Sequence, residues 1–392
     1  MNITPFPKKK ILIATNTAWN LVNFRAGLIR ALIQADYEVV AVAPYDSYAP
    51  RVADLGCRFV SIPMDNQGTN PGRDALLLWR LMFLFMRERP DVYLGFTVKP
   101  NVYGSFAANL LGIPVINNIA GLGTVFGKVG LLVGFVRWLY RIALGTSTKV
   151  FFQNKDDLQM FVAGGLVRAE VADLLPGSGV DLIQFTMTPL EPAPGTERKY
   201  RFLLIARMLY NKGVGEYVKA AKLIQARWPQ AECCLLGFLD VQNPEAISRA
   251  QMDTWVAQGH INYLGISDDV RVEIAAADCI VLPSYYREGT PRSLLEAASM
   301  GRPIITTDAV GCRDVVSDGV NGFLCKERDA EDLAEKMERM LSLSSEERSK
   351  MGQRGRVKME VEFDEQIVIN KYLAAIDDIR VSRLSEFMCK RS

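Results

Sequence analysis

Short apolar runs rich in β-branched residues alternate with helical periods along this chain, the pattern left by parallel sheets covered with helices on both faces. ILIATN (11–16), EVVAVAP (38–44), RFVSIP (58–63), DVYLGF (91–96), PVINNIAG (114–121) and KVFFQN (149–154) form a first series of predicted strands. RFLLIAR (201–207), ECCLLG (232–237), INYLG (261–265), CIVLPS (279–284), PIITTDA (303–309) and GFLCK (322–326) form a second. Beyond Asp329 three segments, 329–343, 344–362 and 364–381, read as helices with charged faces and apolar stripes. Between the series, residues 176–200 carry four prolines and three glycines without a sustained period. The expected organisation is α/β: a doubly wound domain over 1–180, a linker over 181–200, and a second doubly wound domain over 201–363. The C-terminal helix, about 364–392, is expected to complete the first domain. Such sheets bind ligands outside the carboxyl ends of their strands, so a cleft between two facing domains is the expected place for chemistry.

At 392 residues, 49% hydrophobic and 23% charged, the chain lies far from the composition of disordered proteins. Its net charge of +2 gives no reason to expect nucleic acid, but it hides an asymmetry. Up to Val180 there are 18 basic against 12 acidic residues, and beyond it 28 against 32. No Asp or Glu lies between Asp91 and Asp156, where Lys99, Lys128, Arg137, Arg141, Lys149 and Lys155 all fall. Either an anionic partner sits there, or buried elements leave no room for carboxylates. The seven cysteines form no C-x-x-C pair and read as buried reduced thiols. The first residues have no signal-peptide core and no apolar stretch reaches the length of a membrane span, so a cytoplasmic chain is expected.

The residues best suited to chemistry follow strands. In YREGTPRSLLEAASMG (286–301), Thr290 is a favoured N-cap and Pro291 a favoured first helical residue, which predicts a helix N-terminus open to an anion. Glu288 and Glu296 flank that start, in surroundings too apolar for a solvated face. In IARMLYNKGV (205–214), Arg207 and Lys212 bracket a loop on which Gly213 lets the backbone approach closely, a geometry able to clamp a diphosphate. The single histidine, His260, precedes a strand away from these clusters and reads as structural.

With these residues the chain resembles the retaining glycosyltransferases of the GT-B fold, family 4, over almost its whole length. Glu288 and Glu296 with seven residues between them carry the resemblance most specifically. Arg207, Lys212-Gly213, the LLG of 235–237 and PGSGVD of 176–181 support it. It implies that Arg207, Lys212 and Glu288 are catalytic, the two cations on the donor's diphosphate and Glu288 on the transferred sugar. It also implies that Glu296 holds the ribose, that Leu264 and Ile266 contact the base, and that Gly213, Gly237, Gly289, Thr290, Pro291 and Arg292 complete the site for a UDP-sugar. The first loop, NTAWNLVNFRAG (16–27), departs from the glycine pair of many relatives, and the family's histidine near the cleft is missing. FTVKPN (96–101) and NIAGLGTVFG (118–127) instead look like the members acting on polyprenol-diphosphate-linked sugars, with Asn16, Arg25, Lys99, Gly121 and Gly123 as acceptor residues.

No D-x-D triplet and no His/Cys ligand spacing occurs, so neither a metal nor another cofactor is expected beside the UDP-sugar. The apolar segment 127–149, with Lys128, Arg137, Trp138 and Arg141, suits the headgroup layer of the inner leaflet, whereas 75–89 reads as a helix covering the sheet. A peripheral enzyme acting on a lipid-linked saccharide in bacterial surface polysaccharide assembly is the resulting expectation. Its rivals are a UDP-sugar epimerase of the same fold and a non-catalytic membrane-docked subunit of an assembly complex.

Overall fold

The computed structural model describes residues 8–65, 70–121, 131–189 and 199–389, without the side chains of 131, 132 and 382–389. It divides into two compact units, Met1–Ser178 with Glu365–Ser392, and Gly179–Asp364. The first unit is built on β1 (Lys10–Ala14), β2 (Glu38–Ala43), β3 (Arg58–Ser61), β4 (Val92–Phe96), β5 (Val115–Ile119), β6 (Lys149–Phe152) and β7 (Ala172–Leu174). They form one parallel sheet in the order β3-β2-β1-β4-β5-β6-β7. β1 alternates its buried side chains, sending Ile11 and Ile13 into one core cluster and Leu12 and Ala14 into another on the opposite face. Both faces are therefore covered, which is why the strands read as unbroken apolar runs.

Helices α1 (Ala18–Phe24), α2 (Ala26–Gln34) and α3 (Ala49–Ala53) pack on the face of Ile11, together with the C-terminal helix α14 (Glu365–Cys389), whose Tyr372 packs against Phe96 and Phe151. The other face carries α4 (Pro71–Glu88), α5 (Ser105–Leu110), α6 (Leu131–Leu144) and α7 (Lys155–Ala163). Asn70 caps α4 by accepting from the amides of Gly72 and Arg73, and Asn154 caps α7 in the same way through Asp157. Among the described residues no helix is long and apolar enough to cross a membrane.

The second unit repeats the plan. β8 (Tyr200–Ile205), β9 (Ala231–Leu236), β10 (Asn262–Tyr263), β11 (Cys279–Leu282), β12 (Ile304–Thr307) and β13 (Gly322–Cys325) form a parallel sheet in the order β10-β9-β8-β11-β12-β13. Around it lie α8 (Val214–Arg227), α9 (Arg249–Ala257), α10 (Val270–Ala276), α11 (Arg292–Ser299), α12 (Ala330–Ser342) and α13 (Ser345–Lys358). A reciprocal capping box of Ser344 and Glu347 starts α13. The segment expected as a linker is in part a piece of this unit. Val180 and Phe185 are buried in its core, Val180 bridges to Asp364, and Arg356 donates to the carbonyls of Leu182 and Phe185. Pro and Gly density marked the crossing between units, but the apolar residues 180–185 were free to pack.

Six of the seven cysteines lie among the described side chains, all buried and unpaired. His260 exchanges hydrogen bonds with Gln225, its Nδ1 3.0 Å from Oε1, and serves the fold.

Candidate active site

In each sheet the strand order reverses once, between β1 and β4 and between β8 and β11, and loops leaving the carboxyl ends diverge there. In the second unit those are the loop after β8, with Arg207 and Lys212, and the loop after β11, with Glu288. They are fastened to each other through one carbonyl. Asn211 O accepts from the amides of Tyr285 (3.1 Å) and Tyr286 (3.0 Å) and lies 3.3 Å from Ser284 Oγ. Lys212 is thereby set against Glu288, and its Nζ ion-pairs with Oε1 while standing 5.0 Å from the centre of the Tyr286 ring. Ser284 Oγ lies 3.1 Å from the same carboxylate oxygen. Both members of the pair are largely buried, at 12% side-chain exposure each.

Arg207 is exposed beside this pair. Burial pushes the Tyr286 phenol upward, Glu288 adds to the rise and Arg207 opposes it, so both charges act on one spot. Glycines make the close loop packing possible. Gly213 has φ +75°, and a Cβ there would stand 2.0 Å from Pro283 O. Gly311, in the loop after β12, has φ +81° and would meet Gly289 O at 2.0 Å. At the next strands, Gly237 donates its amide to Gly265 O (2.8 Å) and accepts from the Tyr263 hydroxyl (2.9 Å), holding a turn on which Leu264 and Ile266 expose apolar side chains.

The start of the following helix differs from expectation. α11 begins at Arg292 with Pro291 as its N-cap, not at Pro291 capped by Thr290, and no side chain caps it. Pro291 has no N–H, so an anion at this end meets the amides of Thr290, Arg292 and Ser293 only. Glu296 does not join Glu288 in a common pair. It faces Arg292, whose Nε donates to Oε1 at 2.8 Å, and burial holds its carboxyl above the usual range against the pull of that arginine.

The reversal point of the first sheet holds a cavity of about 190 Å³ lined by Asn16 after β1, Thr97, Val98, Lys99 and Asn101 after β4, Ile119, Ala120 and Gly121 at β5, and Tyr140 of α6. Thr97 takes φ +65°, a conformation a β-branched residue adopts only when its surroundings impose it. The surroundings are a buried amide network that sequence reasoning missed. Asn117 Nδ2 donates to Asn101 Oδ1 (3.0 Å) and Ser105 Oγ (2.9 Å), Asn101 Nδ2 to Asn118 O (2.7 Å), and Asn118 Nδ2 to the Tyr372 hydroxyl (3.0 Å). Two adjacent asparagines in the otherwise apolar strand PVINNIAG were the available signal.

Two acceptor assignments need correction. Lys99 lines the cavity beside Asn16 and Gly121, as expected, but it is not an open cation: its Nζ lies 2.6 Å from Asp74 Oδ1, and the Tyr103 hydroxyl donates to Oδ2 at 2.9 Å. Arg25 is 4% exposed, with its guanidinium 4.0 Å from the centre of the Phe96 ring, and belongs to the core rather than to the cavity lining. A guanidinium stacked on an aromatic face is stable in such a place. Gly123 and Lys128 lie outside the described residues. Of the other basic and aromatic residues singled out on α6, Trp138 and Arg141 are exposed and Arg137 packs against Gly164.

Comparison with known proteins decides the family. The model of glycosyl transferases group 1 matches residues 191–358, and that of a glycosyl transferase 4-like domain matches 23–177. The chain belongs to this glycosyltransferase family. It is 26% identical over 378 residues to the N,N'-diacetylbacillosaminyl-diphospho-undecaprenol alpha-1,3-N-acetylgalactosaminyltransferase of Campylobacter jejuni, covering 92% of this chain and 96% of that enzyme. It is also 26% identical to the UDP-Gal:alpha-D-GlcNAc-diphosphoundecaprenol alpha-1,3-galactosyltransferase of Escherichia coli, over 66% and 68% of the two chains. Among solved structures, a glycosyltransferase from Rickettsia africae superposes with a TM-score of 0.77 at 16% identity, covering 95% of this chain and 99% of that one. Anabaena HepE in complex with UDP-glucose gives 0.73 at 16% identity, covering 96% and 99%. The fold is GT-B, two Rossmann-like domains with parallel sheets, and the enzyme is a glycosyltransferase.

Proposed function

We propose that the enzyme moves a sugar, with retention of anomeric configuration, from a UDP-sugar to a saccharide carried on polyprenol diphosphate, at the cytoplasmic face of a membrane. The observation that carries the reading is the charge cluster at the reversal point of the second sheet, where Arg207, Lys212 and Glu288 meet beside the N-terminus of α11. The names of the Campylobacter and Escherichia relatives, both diphospho-undecaprenol enzymes, support the acceptor class. HepE in complex with UDP-glucose supports the donor class.

In this reading Lys212 leaves Glu288 for the donor's diphosphate, and Glu288 turns to the sugar. Arg207, Lys212 and the α11 amides stabilise the charge that grows on the leaving diphosphate oxygen. That oxygen lies on the face from which the acceptor attacks and takes the hydroxyl proton, so no protein base is needed and the absent histidine is tolerated. Glu296, whose carboxyl burial holds above the usual range against the pull of Arg292, hydrogen-bonds the ribose hydroxyls. No metal or further cofactor takes part, because cations and amides meet the diphosphate. The amide-lined cavity of the first unit accepts the acceptor's sugar ring, with Asn16, Lys99 and Gly121 around it. Incubating the protein with a panel of UDP-sugars and a polyprenyl-diphosphate-sugar, and following UDP release and product mass, tests the reading. UDP release without a glycosylated lipid would leave the acceptor assignment without support.

A further inference from the structure

Two asparagines stand side by side in the interior strand β5, Asn117 and Asn118, and both are fully buried. Neighbouring residues of a strand point to opposite faces, so the pair grips β5 from both sides of the sheet. On one face Asn117 donates to Ser105 Oγ of α5 and accepts from Ser147 Oγ at 2.7 Å. On the other, Asn118 Oδ1 accepts from Gln153 Nε2 at 3.1 Å while its Nδ2 donates to the Tyr372 hydroxyl of α14. Asn101 joins the two, since its Oδ1 accepts from the Asn117 side chain and its Nδ2 donates to Asn118 O. Gly95 of β4 leaves room for this junction, because a Cβ there would stand 2.9 Å from Asn101 Oδ1 and 3.0 Å from Asn117 Nδ2.

Stability alone does not call for such a chain of amides, because replacing both partners of a buried hydrogen bond by apolar groups of the same shape is nearly neutral. What the chain adds is one geometry, since each amide is satisfied only with its partners in place. The place it holds is the cavity at the reversal point of the first sheet. Asn101 lines that cavity directly, and the backbone runs on from Asn118 into the lining residues Ile119, Ala120 and Gly121.

Tyr372 touches both walls of the cavity without lining it. Its ring packs on Phe96 at 5.8 Å, the residue before Thr97, and its hydroxyl holds Asn118, the residue before Ile119. Thr97, with its positive φ, accepts in turn from the amide of Asn101 at 3.0 Å. Burial pushes the Tyr372 phenol up to about 12, against the pull of Arg25 and of the Asn118 bond, so at neutral pH it remains a hydroxyl.

We propose that Tyr372 is a positioning residue for the acceptor: from behind the cavity it fixes the wall after β4 against the wall after β5, so that the acceptor's sugar meets a preformed site. The role rests on the reading of this cavity as the acceptor site and adds to it a residue of the C-terminal helix, far from that cavity in sequence.

The test is steady-state kinetics of the full chain with a UDP-sugar and a short-chain polyprenyl-diphosphate-sugar, together with UDP-sugar hydrolysis in the absence of acceptor and the unfolding temperature. Tyr372→Phe removes the hydroxyl and keeps the ring. It should raise the acceptor's KM about fivefold, with kcat and donor hydrolysis within twofold of wild type. Gln153→Leu, which frees Asn118 from its other side, should move KM in the same direction. Tyr217→Phe is the control: an equally buried tyrosine of the second unit, it loses a hydroxyl bond to Phe202 O at 3.0 Å and should leave the acceptor's KM unchanged at a similar cost in unfolding temperature. A Tyr372→Phe enzyme that melts lower but keeps its acceptor KM overturns the proposal and makes the hydroxyl structural. So does a KM rise matched by Tyr217→Phe, or an equal loss in donor hydrolysis. In each of these the wild type still transfers and the acceptor reading stands, whereas a wild type that glycosylates no lipid-linked sugar removes the acceptor reading and this role together.

Discussion

Replacing Lys212 by Ala should act on stability and on catalysis by separable amounts. The ammonium pairs with Glu288 at 12% exposure on both sides, so its loss leaves a mostly buried carboxylate with Ser284 as its neutral partner. Removing one member of a fully buried pair costs about 3–5 kcal/mol, and exposed pairs contribute about 0–1 kcal/mol, which places this one at about 2–3 kcal/mol. For a unit of this size that lowers the unfolding temperature by about 4–12 °C. Lys212→Ala combined with Glu288→Gln removes both charges and keeps an amide for Ser284, so most of the loss should return. The double-mutant cycle then reports the coupling directly. Transfer should fall about 10²–10³-fold in every variant lacking Lys212, because the charge growing on the leaving diphosphate loses a cation. Calorimetry of the four proteins and initial rates of the folded ones supply the numbers. A Lys212→Ala enzyme that melts like wild type and retains a third of its rate would refute both halves of the reasoning.

Glu88, bound by Arg58 and also by Arg87 and Lys10, has its carboxyl held down to about 2 from 4.5. The folded form is thus the weaker proton binder, so the stabilisation of about 2–3 kcal/mol is fully present above the unfolded value and fades as pH falls from about 4.5 toward 2. Glu88→Gln should flatten that acid limb of the stability curve of the first unit and cost about 2 kcal/mol at pH 7. An unchanged limb would assign acid unfolding elsewhere. Lys99→Ala should raise the acceptor's KM about tenfold while donor hydrolysis stays within twofold, measured with a soluble polyprenyl-diphosphate-sugar, and an equal loss in both would make the lysine structural only. Transfer should persist in excess EDTA, and loss of activity that Mg²⁺ or Mn²⁺ restores would show that cations and amides do not suffice.

The two sheets were legible because parallel strands buried on both faces leave contiguous apolar runs, and all six predicted strands of each series recur within a few residues. The short edge strand Ala172–Leu174 escaped notice because an edge needs little apolar content and its residues are only partly buried. The Glu288 and Glu296 spacing placed both residues correctly along the chain, but not their partners. Arg292 lies one helical turn before Glu296 and could have been read as its i,i+4 mate, whereas the pairing of Lys212 with Glu288 spans 76 positions and depends on Asn211 fastening two loops. Lys99 looked like an open cation because Asp74, its counter-ion, sits on a helix 25 residues earlier.

The central claim is that the cluster of Arg207, Lys212 and Glu288 works on a UDP-sugar in a retaining transfer to a lipid-linked saccharide. Mixing the purified enzyme with one UDP-sugar at a time and a synthetic polyprenyl-diphosphate-sugar, then reading the new anomeric linkage by NMR, addresses it in one experiment. The account predicts that one donor yields a glycosylated lipid bearing the same anomeric configuration as the UDP-sugar, with one UDP released per bond formed. An inverted linkage, or epimerised UDP-sugar with no transfer, would contradict it.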